Sequence, residues 1–107
     1  MSKLHENAED FFSERGNSTM VLSRAAAEEV CHRAIVRDQV VVRIEGGIWN
    51  GVTFQARRDA IWDADIDRAC KDPVGRADIA VKFLADMPLE YNAFVLMTFR
   101  ISSGKPA

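Results

Sequence analysis

The sequence has no excess of positive charge and no basic stripe. Its 107 residues carry 14 Lys and Arg against 16 Asp and Glu, which gives a formal net charge of −2. The two signs are mixed along the chain rather than gathered in blocks. Proteins that bind nucleic acid directly present clustered positive charge to the phosphates. We therefore expect no direct contact with nucleic acid.

Long apolar runs are also missing. The longest, at residues 93–97, falls far short of the ~20 residues that a helix needs to cross a bilayer. The N-terminus is acidic where a secretory signal requires a basic patch followed by an apolar stretch. We expect a protein that does not associate with a membrane and that works in the cytoplasm.

Cysteine is scarce, and the two thiols, Cys31 and Cys70, cannot form a disulfide scaffold. Cys31 precedes His32, but neighbours on a helix point ~100° apart and do not face each other. No third group is placed to orient such a pair, and His5 lies alone in the N-terminal segment. The sequence therefore indicates no enzyme, because no nucleophile and base are paired.

A complete metal-binding motif is also absent. Asp63, Asp65 and Asp67 resemble the opening of a calcium loop. Such a loop needs glycine at its sixth position and an acid at its twelfth, where this chain has Arg68 and Val74. We expect no metal and no cofactor, and interpret the segment as a solvated acidic loop or as an acidic patch for a basic partner.

The length is typical of one domain. Residues 1–19 are polar and end in a Gly-Asn-Ser-Thr run, which predicts a flexible or loosely docked arm. An arm that folds onto a partner is the alternative. Residues 20–107 are predicted to form a single α+β domain.

The apolar pattern predicts five elements in that domain. A helix over residues 23–38, capped by Ser23, is followed by a strand from Val40 that Gly46-Gly47 ends. After a turn at Asn50-Gly51, residues 52–62 form one or two short strands, and residues 63–75 form a loop. A second helix begins near Asp78, and residues 91–101 form a central strand. The order α-β-β-α-β predicts a single, mainly antiparallel sheet with its helices packed on one face.

Two tryptophans, Trp49 and Trp62, fall in the turn-rich middle of the chain among charges of both signs. Tryptophan is commonly a core residue, but Trp and Arg also dominate binding hot spots. Both interpretations are open, and the mixed charges around the two rings favour a recognition surface.

The residues in these segments, taken together, resemble the colicin E-five immunity protein family. The resemblance runs without gaps from Leu22 to Trp62 and resumes weakly at Ala80 and more clearly at Tyr91. The residues that carry it are Leu22, Ser23, Ala26, Glu29, Val30, Cys31, Gly46, Gly47, Trp49, Phe54, Trp62, Tyr91, Ala93 and Phe94.

This resemblance implies an α/β sheet fold, a cytoplasmic location and an antidote role. Proteins of that family bind a small basic ribonuclease domain that cuts tRNA in the anticodon loop, and they occupy its RNA site. Aromatic rings can stand in for stacked bases and carboxylates for phosphates. On that basis we predict the partner-binding residues Trp49, Asn50, Arg58, Asp59, Trp62, Asp63 and Asp65.

A protein that mimics RNA is expected to be strongly acidic, and the net charge of −2 is smaller than that expectation. The alternative is a shared fold with another role. In that case the chain would be a small accessory protein that self-associates, as a homodimer, through its central strand and binds another partner or a small molecule.

Overall fold

The structure, a computed structural model, describes residues 3–107. Within them, six strands form one mixed, mostly antiparallel sheet, and four α-helices pack against it. The strands are β1 (Leu4–His5), β2 (Val21–Leu22), β3 (Gln39–Trp49), β4 (Phe54–Asp63), β5 (Ala93–Arg100) and β6 (Lys105–Pro106). The α-helices are α1 (Ala8–Ser13), α2 (Arg24–Arg33), α3 (Ile66–Lys71) and α4 (Pro73–Asp86). The α+β prediction is confirmed, and the five longest elements occur in the predicted order α-β-β-α-β.

Strand β5 lies in the middle of the sheet. The order is β1-β2-β5-β3-β4, with β6 also pairing with β5. Only the β1–β2 pair is parallel within the described residues. Strand β5 is paired along both edges, and residues 93–99 are buried or half-buried on both faces of the sheet. This agrees with the central position that its apolar sequence predicted.

The main core lies between the sheet and helices α1, α2 and α4. Ile44, Phe94 and Leu96 of the sheet, each fully buried, meet Val30 of α2 and Leu84 of α4 there.

A second, smaller cluster joins Val40 and Val42 of β3 to Ala69 of α3. These valines flank Val41, which belongs to the main core, and side chains alternate along a strand. Helix α3, which the sequence did not predict, therefore covers the opposite face, whereas the two predicted helices, α2 and α4, both pack on the face of the main core.

The predicted loop at residues 63–75 is instead a helical turn and the start of α4. Asp65 accepts a hydrogen bond from the Arg68 N–H at 3.1 Å and begins α3. Asp72 accepts one from the Gly75 N–H at 3.1 Å, and Pro73 opens α4 five residues before Asp78. The acids that indicated a solvated loop act here as helix caps.

Gly46 and Gly47 do not end strand β3, contrary to the prediction. A side chain at Gly46 would meet the Phe94 ring and Ala60, and one at Gly47 would overlap the carbonyl of Gln55. Glycine is required there because neighbouring groups approach the backbone closely, not because the chain turns.

Residues 3–19 are packed against the rest of the chain, where the sequence predicted a flexible or loosely docked arm. Phe11 is 2% exposed in the main core, and β1 joins the sheet through β2. The Asn17 side chain accepts a hydrogen bond from the Thr98 N–H at 2.5 Å. The composition of the segment did not predict this packing, because the packing depends on one buried aromatic ring and a few hydrogen bonds. Met1 and Ser2 lie outside the described residues.

Candidate functional site

The two tryptophans lie on opposite faces of the sheet. Trp62 pairs with Ile44 across β4 and β3, and its ring packs against the main core on the side of the long helices. Trp49 follows Ile44 by five positions in β3, an odd number, so its side chain points to the other face. Both rings are partly buried. The two rings are therefore not presented on the same face of the sheet.

Strand β4 is an edge strand with a large bulge. Glu45 pairs with Ile61, but Gly47 pairs with Ala56, so residues 57–60 lie opposite Gly46 alone. Ala60 is buried beside Gly46, whereas Arg57, Arg58 and Asp59 are exposed. Bulges bend an edge strand and redirect its side chains. The bulge in β4 places the charged side chains of residues 57–59 in solvent.

Asp59 on the bulge is held by Tyr91, which precedes β5. The Tyr91 hydroxyl donates to both carboxylate oxygens of Asp59 at 2.9 Å. This hydrogen bond raises the pKa of Tyr91 above its ordinary value, because ionisation of the phenol would break the bond and place two negative charges together. The carboxylate is thus positioned while it stays accessible to solvent.

Trp49 is fixed at the same end of the sheet by Asn92. The Trp49 N–H donates to the Asn92 side-chain oxygen at 2.8 Å, and the Asn92 amide donates to the Trp49 carbonyl at 3.2 Å. Since Asn92 follows Tyr91, the backbone of Trp49 lies at the same end of the sheet as the contact between Tyr91 and Asp59. We call Trp49, Asn50, Arg58, Asp59 and Tyr91 the hairpin-end surface.

Asn50 has a structural role in the β3–β4 turn. Its side-chain oxygen accepts from the N–H groups of Val52, at 2.9 Å, and Thr53, at 2.8 Å. Gly51 has φ +95°, a left-handed conformation that favours glycine. The predicted turn is confirmed, and it holds Asn50 in place beside Trp49.

The remaining predicted acids lie at the far end of β4. Asp63 accepts hydrogen bonds from Arg43 at 2.7 and 2.8 Å, and Arg43 also donates to Glu45 at 3.1 Å. These contacts raise the pKa of Arg43. Asp63 is four positions from Asp59, or about 13 Å along an extended strand. The Asp65 side chain is the N-cap of α3.

Cys31 does not form a reactive pair with His32. The thiol is buried, and burial raises its pKa to about 12. His32 is exposed. A thiol that stays protonated in the physiological pH range is a poor nucleophile, and it serves here as a core residue.

Comparison with known proteins identifies the family of this chain. The family model described as "Colicin-E5 Imm protein" matches residues 20–99. The chain belongs to the colicin E-five immunity protein family. It is also 39% identical over 98 residues to the immunity protein CdiI of Burkholderia pseudomallei, which covers 90% of this chain and 89% of that protein.

Membership of the colicin E-five immunity family confirms the resemblance found in the sequence. Proteins of this family are not enzymes; they inhibit a toxin by binding it. In the part of the chain that the structure describes, no helix has the length and apolar character required to span a membrane.

Tyr91 and Asn92 were not among the predicted site residues. Tyr91 belongs to the stretch that carried the resemblance, but nothing in the sequence connects it to Asp59, 32 positions away. Only the pairing of β5 with β3 brings the two together.

Proposed function

We propose that this immunity protein neutralises a ribonuclease toxin by covering its active site with the hairpin-end surface. The observation that carries the proposal is the exposed Asp59 carboxylate, held by Tyr91 next to the Trp49 end of β3. A fixed carboxylate can replace an RNA phosphate before the basic groups of a nuclease, and a tryptophan ring can replace a base. The partner is then a basic ribonuclease domain. The two would meet in the cytoplasm, where tRNA is found.

The hairpin-end surface fits this role better than the far end of β4. Both oxygens of Asp63 already accept from one guanidinium nitrogen of Arg43, and the Asp65 side chain accepts from the backbone N–H of Arg68. The charge of Asp63 is therefore balanced by an ion pair, and the Asp65 carboxylate is committed to capping α3. Asp59 is bound only by a neutral phenol among the described residues, so its charge is not balanced by a direct ion pair.

Arg57 and Arg58 immediately precede Asp59 on the bulge and limit the local negative field. We therefore expect recognition through a few oriented groups rather than through broad electrostatic attraction. Affinity would reside in central contacts that exclude water. The dependence of association on salt would be present but modest.

The test is inhibition of tRNA cleavage by the cognate toxin domain, with Kd measured for each variant. Asp59→Asn should weaken binding about 30-fold or more, as loss of a central hot-spot contact does. Asp63→Asn is the matched control on the same strand, and it should retain near-native affinity.

Equal affinities for the native chain, Asp59→Asn and Trp49→Ala would remove this surface from the interface. Binding that leaves tRNA cleavage unaffected would contradict active-site covering, although the toxin would still be the partner. A chain that forms a stable homodimer and binds no toxin would favour the accessory-protein alternative.

A further inference from the structure

One cluster of metal-ligating side chains lies away from the proposed toxin-binding surface. His5 ends β1, and Asp10 and Glu14 belong to α1 and its C-terminal cap. One ligand atom from each of the three side chains lies within 4.8 Å of the other two. From this geometry we propose that His5, Asp10 and Glu14 bind a divalent metal ion of the zinc type.

Local structure explains why the three side chains converge. The Glu14 N–H donates to the Asp10 carbonyl at 2.9 Å, so the backbone is still helical there and side chains four apart share one face. The carbonyl of His5 accepts from the Ser23 N–H at 2.8 Å, which fixes β1 beside that face. The ligands are thus held by backbone contacts that do not need the metal.

The imidazole of His5 is held against one of the two carboxylates. It is nine-tenths buried, and its Nδ1 lies 2.8 Å from a carboxylate oxygen of Asp10. Within residues 3–107 the ring hydrogen-bonds to no other group. His5 and Glu14 also line a cavity of about 220 Å³ that leaves room for water ligands.

The donor set decides the class of ion. One imidazole and two carboxylates supply nitrogen and charged oxygen, a combination that zinc accepts with water completing its coordination. Calcium requires six or more oxygen ligands and is disfavoured. Lys3 lines the same cavity, but it is exposed, so its ammonium can turn to solvent when a cation enters. A bound ion would fasten β1 to α1.

The experiment measures zinc binding by the isolated full chain, freed of metal with a chelator and carrying no histidine tag. We expect one zinc per chain by equilibrium dialysis and a Tm rise of about 5 °C or more at saturating zinc. Manganese should give a smaller rise, and calcium none.

Glu14→Gln is the decisive variant because Glu14 is exposed and its loss leaves the core intact. It should weaken zinc binding about tenfold or more, as should His5→Gln. Glu6→Gln, which removes a nearby exposed acid outside the cluster, and Cys70→Ser, which removes the less buried thiol, should bind zinc normally.

Native zinc affinity in Glu14→Gln would overturn the proposal, and so would less than one zinc bound per native chain. Both readouts use the chain without its toxin, so they are independent of the proposed inhibitory function.

Discussion

Tyr91 donates a hydrogen bond to Asp59 across 32 positions of sequence, with 2.9 Å from its hydroxyl to each carboxylate oxygen. The contact closes one end of the sheet, because Tyr91 precedes the central strand β5 and Asp59 lies on the bulge of the edge strand β4. It orients the carboxylate without neutralising its charge. This arrangement is what a protein needs to present a fixed negative group to a partner.

The ionisation of Tyr91 tests this contact directly. Tyr91 is the chain's single tyrosine, so the near-ultraviolet absorbance of tyrosinate reports it alone. Its pKa is raised above 10.0, chiefly by the bond to Asp59. The bond is therefore present below the ordinary tyrosine pKa and is lost as the pH rises through the raised value. Asp59→Asn should return the midpoint towards 10.0, and an unchanged midpoint would contradict the contact.

Replacement of Trp62 by alanine should lower mainly the stability of the fold, and replacement of Trp49 by alanine should lower mainly the affinity for the toxin. Trp62 packs against the main core, so Trp62→Ala should cost about 2–4 kcal/mol of unfolding free energy. Trp49→Ala should cost less stability and about 2 kcal/mol or more in toxin binding. Denaturant unfolding and affinity are measured for both variants. A Trp49→Ala chain as unstable as Trp62→Ala would make Trp49 a core residue.

Phe11 tests whether the N-terminal segment belongs to the core. Because its ring is 2% exposed, Phe11→Ala should cost about 3–5 kcal/mol of unfolding free energy. Phe12 is the matched control: it is half-buried, with the Arg37 guanidinium 4.3 Å from its ring centroid. Phe12→Ala should cost clearly less. Equal and small losses would restore the interpretation of residues 1–19 as an arm.

Gly47→Ala should disrupt the pairing of β3 with β4. The added methyl group would overlap the carbonyl oxygen of Gln55, a backbone atom that cannot move without opening the hairpin. We expect a loss of about 2–3 kcal/mol in unfolding free energy. Gly51→Ala is the control, since no atom crowds that position and only its positive φ causes strain. Native stability in Gly47→Ala would show that β4 tolerates a different register.

Periodic apolar patterns predicted the major elements because those elements bury a regular face. Ser23 and the alternating valines from Val40 located α2 and β3, and the apolar residues of β5 indicated its central position. Short elements were missed for a physical reason. Helix α3 depends on Asp65 as its cap and buries only Ala69 among its six residues, which leaves almost no periodic signal.

The structure divides the residues that the sequence predicted as partner-binding into two groups. Trp49, Asn50, Arg58 and Asp59 lie on the hairpin-end surface, whereas Trp62 faces the main core and Asp63 and Asp65 are engaged elsewhere. Sequence could not separate these groups because the separation depends on the bulge at residues 57–60, which changes the register of β4. A shift in register is decided by how two strands pair, and neither strand carries that information alone.

The position of β5 constrains when the molecule can fold during its synthesis. Strands β2 and β3 both lie in the first half of the chain, and on their inner sides they pair only with β5, which is synthesised after them. The ribosome must therefore complete and release residues 93–100 before the sheet can close. Until then the apolar face of β3 lacks its main partner and is open to chaperones and aggregation. The Tyr91–Asp59 contact can form only after this step, since it depends on the pairing of β3 with β5.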